Sequence, residues 1–348
     1  LWIWNAFHGS RGIFARWMTK TFGKPPVLMS SVSPALRASV ATDVVRRHGY
    51  FRGSVAYDTI IGKNPKTAKI AYTVNAGPLF TVDSMTYTGF PAEADSLIRT
   101  TMNEAKIRKG DPFDIAQLDA ERNRLSTLFK NNGYFYYQPS FATFLADTLE
   151  QPLKARLQLK LADNLSPQAT KKWYMGRVRI EFRKQYGETL HDTITHRYLQ
   201  TLFNGKHPPV RTRVVLRDIK LRPRQLFSYD DYQQSADKVA STGLFSMVNF
   251  NFTPRDTTAA CDTLDLTLSC VFDKPYDFYV EANATGKTTG RVGPELVVGF
   301  TKRNAFRGGE KLDINLHGSY EWQTNTPSGE KGSKLNSYEY GGDVSVEM

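Results

Sequence analysis

The chain has 348 residues, a formal net charge of +12 at pH 7 and a hydrophobic content of 40%. This length suffices for about two to four domains, and because no run of about eighteen apolar residues occurs, we expect no transmembrane helix. The basic residues are dispersed without a zinc-finger, RNP-type or helix-turn-helix pattern, so nucleic acid is not an expected partner. The positive charge fits a solvated domain surface, or a surface that meets anionic lipid headgroups.

The N-terminal segment is rich in aromatic and basic side chains. Its spacing predicts an amphipathic helix. We expect this helix to pack on the unit that follows, although the same composition is compatible with a helix at a membrane surface. The aromatic residues are Trp2, Trp4, Phe7, Phe14, Trp17 and Phe22.

One pattern then occurs three times: an amphipathic helix, a glycine followed by two hydrophobic residues, and two amphipathic strands. The glycine is expected to end each helix, because it adopts the left-handed conformation at little cost. The first copy lies within residues 1–78 and has strands near 52–60 and 67–75, after Gly49. Its helix carries an apolar face at i, i+4 spacing, formed by Leu36, Val40 and Val44.

The second copy spans residues 79–166 and opens with a strand over 80–88 and a short helix over 93–103. Asp114 is expected to cap the long helix, with Gln117 at the capping-box position. The apolar face of that helix comprises Ile115, Leu118, Leu125 and Leu128. After Gly133, strands are expected near 134–146 and 153–162.

The third copy spans residues 171–274, opens with a strand over 173–182 and carries a polar insertion at about 183–215. Its long helix starts near Ser228, and the helix-ending glycine is Gly243. Strands follow near 245–254 and 262–272.

The two cysteines, Cys261 and Cys270, lie in that last extended segment. In a strand they would be too far apart for a disulfide, so we predict none between them. Cys270 shares the phase of Leu264, Leu266 and Leu268, which indicates a small buried side chain.

Residues 275–348 alternate between apolar and polar side chains in four consecutive runs of roughly ten residues. Because side chains alternate across a strand, each run predicts a strand with one apolar and one polar face. Four in series are typical of a transmembrane β-barrel, although a soluble amphipathic sheet has the same pattern. A closed barrel needs about eight strands, so we expect further strands outside this sequence.

Residues that could support catalysis are sparse. The six histidines are dispersed, and no HExxH, CxxC or G-x-S-x-G motif occurs. One polar cluster could hold a metal, but a solvated loop explains it more simply; it comprises Glu181, Glu188, His191, Asp192 and His196. The sequence therefore predicts no enzyme, no cofactor and no metal site.

A β-α-α-β-β unit with Gly-Tyr-Phe between its second helix and second strand resembles a POTRA domain. Three such units before a barrel resemble the BamA/TamA superfamily of outer-membrane assembly proteins, and within it the TamA-like (TamL, translocation and assembly module) branch. The stretches that carry the resemblance are residues 13–28, 41–57, 109–136, 219–252 and 299–312, the last reading G-F-T-K-R-N-A-F-R-G-G-E-K-L. The fold class expected is α+β tandem POTRA domains followed by the first strands of an antiparallel transmembrane β-barrel. Lipid anchoring and barrel closure are implied by the resemblance alone.

The resemblance implies an outer-membrane protein assembly and insertion factor, located in the bacterial outer membrane with its POTRA domains in the periplasm. Its partners would be nascent outer-membrane proteins, outer-membrane lipid and, at the first POTRA unit, a TamB-like inner-membrane-spanning protein. The alternatives are a BamA-type core insertase, or a polypeptide exporter or surface receptor of the same architecture.

The resemblance also implies where clients bind. The second strand of each unit, at about 52–58, 135–144 and 245–253, would be an edge that captures clients by β-augmentation, unless neighbouring segments cover it. The first barrel strand would be a lateral gate that pairs with the final barrel strand. Its small residues would stabilise this seam between the two strands only modestly. The expected edge residues are Tyr136, Tyr137, Phe141, Phe144, Asn249, Phe250, Asn251 and Phe252. The expected gate residues are Phe278, Val280, Ala282, Ala284 and Gly286.

Overall fold

A computed structural model of the protein describes residues 2–10, 12–25, 27–62, 67–258, 260–287, 291–323 and 337–347. The chain divides into an N-terminal unit, Leu1–Leu125 with Pro139–Asp163, and a C-terminal unit, Ser126–Gln138 with Asn164–Met348. The finer division into four parts stays a prediction.

The helices are α1 Trp2–Phe7, α2 Ile13–Phe22, α3 Met29–Val32, α4 Pro34–Arg47, α5 Ala92–Thr100, α6 Ile115–Asn131, α7 Pro167–Thr170, α8 Thr212–Asp218 and α9 Tyr229–Ser241. The strands are β1 Ser54–Ile61, β2 Ala68–Asn75, β3 Thr81–Thr88, β4 Ala142–Asp147, β5 Lys154–Leu161, β6 Tyr174–Arg183, β7 Asp192–His196, β8 Leu199–Phe203, β9 Phe245–Pro254, β10 Thr263–Phe272, β11 Tyr276–Lys287, β12 Arg291–Arg303, β13 Lys311–Gln323 and β14 Ser337–Glu347. No described helix is both long enough and apolar enough to cross a membrane.

Helix α4 packs on the antiparallel pair β1-β2 with a different face from the one predicted. The side chains of Leu36, Val40 and Val44 are 64%, 54% and 49% exposed, whereas Ala38 is buried. The Thr42 hydroxyl, one turn beyond Ala38, accepts a hydrogen bond from the Val55 N–H at 2.9 Å. The side of the helix that carries Ala38 and Thr42 therefore meets the strands, and the face of Leu36, Val40 and Val44 that the sequence indicated is instead largely exposed.

The second α/β fold of the N-terminal unit has the sheet order β3-β5-β4. Strands β3 and β5 are parallel, and β4 and β5 are antiparallel. Its two helices come between β3 and β4 in the chain, so the element order is the predicted strand, two helices, two strands. Asp114 caps α6 as predicted, since its Oδ1 accepts a hydrogen bond from the Ala116 N–H at 2.7 Å. Alternate side chains of β5 are buried in the core beside Phe80 and Phe113.

A buried ion pair lies under this sheet. Glu121 is fully buried and accepts hydrogen bonds from the Arg124 guanidinium at 2.6 and 3.0 Å, from the Tyr87 hydroxyl at 2.8 Å and from the Lys106 N–H at 2.8 Å. Burial by itself raises the pKa of Glu121, but the hydrogen bonds from Arg124, Lys106 and Tyr87 outweigh it and hold that pKa below its usual range. The carboxylate therefore stays ionised inside the fold.

The α/β fold of the C-terminal unit has the sheet order β7-β8-β6-β10-β9. Strand β6 is parallel to both β10 and β8, and β10 is antiparallel to β9. The predicted polar insertion is thus not only a loop, because its hairpin β7-β8 extends the sheet beyond β6. Helix α9 begins as expected, with the Ser228 hydroxyl accepting a hydrogen bond from the Asp231 N–H at 3.2 Å.

The four strands predicted at the C-terminal end form one antiparallel sheet in the order β11-β12-β13-β14, which is not closed into a barrel within the described residues. Opposite residues of neighbouring strands lie on one face, so the register aligns the apolar sets. Phe278 pairs with Phe300, which pairs with Ile314, which pairs with Val344. The other face is polar, and there the Tyr279 hydroxyl donates to Asn315 Oδ1 at 3.0 Å.

The two cysteines are free thiols. Cys261 and Cys270 are both buried, and Cys270 lies in the buried phase of β10 as predicted. Burial raises the pKa of the Cys270 thiol.

Replacing Glu121 by glutamine should destabilise the N-terminal unit by about 3 kcal/mol, because the buried Arg124 guanidinium loses its carboxylate. The measurement is chemical denaturation, with amide exchange at Lys106, whose N–H bonds Glu121. Asp119→Asn is the matched control on the same helix, because the Asp119–Arg122 pair is half exposed and its loss should change stability by less than about 1 kcal/mol. Equal effects would contradict this account of the pair.

The same pair predicts a dependence on acid. The lowered pKa of Glu121 means that its stabilisation is complete above the usual glutamate pKa and is lost as the pH falls through the lowered, folded-state pKa. Wild-type protein should therefore lose stability in that acid range more steeply than Glu121→Gln, as thermal melts at a series of pH values would show.

Candidate functional site

Strand β9 lies at one edge of the five-stranded sheet, as predicted for the third unit, and among the described residues no strand pairs with its outer side. The Arg255 N–H donates to the Thr263 carbonyl at 3.0 Å, which fixes the hydrogen-bonding phase of the antiparallel pair. With the observed register, the main-chain groups of Val248, Phe250 and Phe252 point away from β10. Pro254 has the same phase, and it lacks an N–H, as expected at an edge position.

The side chains of β9 divide between two surfaces. Asn249 and Asn251 are exposed on the outer face of the sheet. Phe250 and Phe252 are half buried, with ring centroids 5.5 Å from that of Tyr232. The four predicted residues therefore lie on the edge strand, but only the two asparagines present their side chains to solvent on the open face.

An aromatic cavity of about 250 Å³ adjoins this edge. Its walls combine rings from β9, from α9 and the residue just before its N-cap, and from the turn after α6 with one amine. The lining residues are Lys130, Phe135, Phe227, Tyr229, Tyr232, Phe250 and Phe252. An apolar side chain of a strand added to β9 would find a preformed pocket here, which the sequence did not reveal because its walls are far apart in the chain.

The predicted edge of the second unit is shorter than expected. Strand β4 starts at Ala142, so Tyr136, Tyr137 and Phe141 precede it, the last within a short 3-10 helix. Tyr137 is buried with its ring centroid 4.7 Å from that of Phe129, and Tyr136 lies 5.2 Å from the ring of Trp173. These rings turn inward because the chain after Gly133 folds back on the helix, so placing them along the edge was wrong.

Two further edges lie in the N-terminal unit. Strand β4 itself ends the sheet β3-β5-β4, with Phe144 turned toward the core. In the pair β1-β2, neither outer edge has a strand partner among the described residues. The start of β3 is covered instead, because the Val82 N–H donates to the Asp111 carbonyl at 2.8 Å.

Strand β11, predicted to be the gate strand, lies at the edge of the amphipathic sheet. Its apolar face is exposed, with Phe278 at 67% and Val280 at 55%. Ala282, Ala284 and Gly286 continue the exposed face with little surface to bury. Within the described ranges, no strand pairs with the outer side of β11.

A contact that the sequence did not predict joins the amphipathic sheet to the α/β fold of the same unit. In the β12–β13 turn, residues 304–310, the Asn304 amide donates to the Pro209 carbonyl at 2.9 Å and the Arg307 guanidinium to the Pro208 carbonyl at 2.8 Å. In return, the Arg211 N–H donates to the Arg307 carbonyl at 2.9 Å. Three hydrogen bonds between two short segments fix where the strands meet the α/β fold.

The β12–β13 turn is itself strongly organised. Asn304 and Arg307 have φ values of 55° and 66°, in the left-handed region that residues other than glycine rarely occupy. The Glu310 carboxylate accepts hydrogen bonds from the Gly308 N–H at 2.8 Å and the Phe306 N–H at 3.3 Å. Hydrogen bonds from main-chain N–H groups hold the pKa of Glu310 below its usual range. The N–H of Glu310 itself has the largest effect, followed by those of Gly308 and Phe306. This turn lies within residues 299–312, one of the stretches that carry the resemblance.

The residues of the polar cluster considered for a metal form separate local contacts instead of one site. The Glu188 carboxylate accepts from the Asn204 amide at 2.8 Å, Asp192 from the Gly205 N–H at 2.8 Å, and Glu181 pairs with Arg183 at 2.9 Å. Across the part of the chain that the structure describes, no three potential ligands come together in metal-binding geometry.

No family model and no curated protein matches the sequence. Solved structures align with the fold. BamA from Haemophilus ducreyi lacking POTRA domains 1–3 is 12% identical at a TM-score of 0.45, over 77% of this chain and 47% of that chain. POTRA domains 3–5 of Haemophilus influenzae BamA are 12% identical at 0.37, over 69% and 81%. CdiB from Acinetobacter baumannii is 11% identical at 0.32, over 71% and 41%.

The chain spans less than half the length of the BamA structure from Haemophilus ducreyi. At such identities and TM-scores the alignments carry no argument about what this protein does.

Replacing Asn304 by alanine should loosen the β12–β13 turn from segment 208–211. The change removes two side-chain hydrogen bonds, to Pro209 and from the Gly309 N–H, and leaves alanine in a left-handed conformation. We expect a loss of about 2 kcal/mol in local stability, seen as roughly thirtyfold faster amide exchange at Arg211. Phe306→Ala, in the same turn and 59% exposed, is the control that should leave this exchange unchanged. Unaltered exchange in Asn304→Ala would contradict a role for the turn as the attachment point.

Proposed function

We propose that this protein is an outer-membrane assembly factor of the TamA-like kind, which captures extended client segments at open sheet edges and admits them to the membrane beside β11. The observation that carries the proposal is the edge position of β11, the first strand of an amphipathic sheet whose apolar face is exposed. In hydrocarbon, such an edge must pair with another strand, because its main-chain groups have no water to bond.

Capture begins at β9. The outward main-chain groups of Val248, Phe250 and Phe252 can hydrogen-bond any extended polypeptide, whatever its side chains. The adjoining aromatic cavity of about 250 Å³ then favours clients with an apolar residue at alternate positions. Strands of membrane barrels have that composition, so nascent outer-membrane proteins fit this edge better than soluble helical proteins do.

Admission to the membrane follows at β11. Phe278, Val280 and the small residues after them face the side where lipid would lie. A client strand that pairs with β11 provides hydrogen-bond partners for the outer edge of β11 and for its own facing edge. Transfer of the apolar face of the client into lipid then drives insertion. The process is non-covalent and needs no nucleotide, no metal and no cofactor.

The same proposal places the sheet β11–β14 in the bacterial outer membrane, with the α/β folds in the periplasm. A TamB-like protein that spans the periplasm is then proposed as a partner for the open edges of β1 and β2 in the N-terminal unit. Outer-membrane lipid would surround the apolar face of the strands.

Photo-crosslinking in cells tests the seam. A crosslinker at Val280 or Ala282 should yield adducts with newly made barrel proteins, because both residues lie on the edge strand. Val298 is the matched control: it has the same face but lies on β12, which is paired on both sides, so it should yield few client adducts.

Crosslinks from Val280 to the protein's own last strand alone, while clients accumulate, would contradict an insertion role. That result would favour polypeptide export or a receptor function for the same architecture.

Main-chain recognition at β9 predicts a contrast between two substitutions at one position. Val248→Pro removes the outward N–H and should weaken binding of an extended client peptide roughly fivefold, the value of about one hydrogen bond. Val248→Ala keeps the N–H and should stay within about twofold of wild type. Fluorescence anisotropy with a labelled barrel-strand peptide measures both.

Equal losses in the two variants would mean that the Val248 side chain, and not the main chain, is recognised. Folding of both variants is checked through the near-ultraviolet circular dichroism of the aromatic cluster around β9.

A further inference from the structure

The N-terminal helices have an unusual charge and aromatic content that the proposed function does not use. Residues 1–42 contain five basic residues, Arg11, Arg16, Lys20, Lys24 and Arg37, and no aspartate or glutamate. The same stretch holds six aromatic residues. A solvated protein surface normally mixes both signs of charge, so this composition points to a negatively charged partner.

Helix α2 exposes its aromatic side. The exposed fractions are 89% for Ile13, 64% for Phe14, 53% for Trp17 and 54% for Phe22. At 3.6 residues per turn, Ile13, Phe14 and Trp17 share one face of the helix. Ala15 lies on another side of the helix and is buried. The ring centroids of Phe7 in α1 and Phe14 in α2 are 6.5 Å apart. The segment was expected to pack on the following unit, but three of its six aromatic side chains, Phe14, Trp17 and Phe22, remain exposed.

Two cations border the exposed face. Arg16 and Lys20 are one turn apart, and within the described residues neither forms an ion pair. Their long side chains can reach past the helix to phosphate groups while the aromatic rings enter the layer beneath. A helix with aromatic residues on one face and lysine or arginine beside them is the type that lies in the interface of an anionic bilayer.

We infer that α2, with the basic residues around it, binds the surface of an anionic phospholipid bilayer, with Ile13, Phe14 and Trp17 at the level of the headgroups. A protein partner would have to supply both an apolar groove and several carboxylates. A bilayer that contains phosphatidylglycerol supplies both over its whole surface. The inference does not depend on the client-binding role of β9 or β11, since it concerns a different surface.

A fluorophore at residue 21 tests it in the full chain. Thr21 is exposed and lies between the aromatic positions on the helix, so Thr21→Cys keeps every apolar side chain. The native thiols are both buried and should not label. The environment-sensitive dye NBD, attached there, should shift to shorter emission wavelengths on addition of phosphatidylcholine vesicles that contain phosphatidylglycerol. It should also become several-fold less accessible to iodide.

Two variants separate this contact from other vesicle contacts. Arg16→Glu with Lys20→Glu should abolish the spectral shift, whereas Lys69→Glu with Lys206→Glu, an equal charge change at exposed sites elsewhere, should leave it intact. Phe14→Ser with Trp17→Ser should abolish it without any change in charge. In wild type, added salt should weaken the shift, because exposed charges are screened.

Three results would overturn the inference. One is no shift with anionic vesicles. Another is an equal, salt-insensitive shift with phosphatidylcholine alone. The third is protection from iodide before vesicles are added that grows with protein concentration, which would mean that a second copy of the chain covers this face.

Discussion

Unpaired main-chain groups at the margins of β-sheets are the constraint on which this structure depends. The outermost strand of each sheet presents main-chain donors and acceptors that require hydrogen-bond partners, either water or further protein groups. The C-terminal unit treats its two α/β edges differently. The hairpin β7-β8 ends the sheet on one side, with exposed and mostly polar residues along β7, while β9 ends it on the other side beside an aromatic cavity.

The amphipathic sheet β11–β14 is subject to the same constraint. Its register places apolar side chains opposite one another across all four strands and leaves the polar side chains on the other face. On the polar face, the Tyr279 ring lies over Gly299, where a Cβ would be only 2.0 Å from a ring carbon. The glycine thus provides the space that a cross-strand ring needs, and the Asn315 amide joins the Tyr279 hydroxyl to Asp343 at 3.0 Å.

Local signals in the sequence predicted local features well. The four alternating runs within residues 275–348 form strands β11 to β14. Asp114 and Ser228 cap their helices. The helix-ending glycines have positive φ, namely Gly49, Gly133 and Gly243. Each depends on a few neighbouring residues, whose preferences are the same in any fold. The pairing of β6 with β10, by contrast, joins residues almost ninety positions apart and follows only from the family-like order of elements.

The features that were missed depend on what each segment packs against. Helix α4 has an apolar stripe, yet it contacts β1 through Ala38 and Thr42, because small side chains allow close approach. The segment after Gly133 has strand-forming composition, but its rings are drawn to Phe129 and Trp173. The attachment of Asn304 and Arg307 to Pro208 and Pro209 uses main-chain carbonyls, which carry no sequence signal.

The position of β10 has a mechanical consequence. It is an inner strand, bonded to β6 on one side and to the open edge β9 on the other, and only residues 273–275 separate it from β11. A force applied to β11 would therefore load β10 along its length, where two ladders of hydrogen bonds resist in shear. Strand β9 would move with its neighbour, so a load on β11 reaches the edge strand β9 through the hydrogen-bonded ladder that β9 forms with β10.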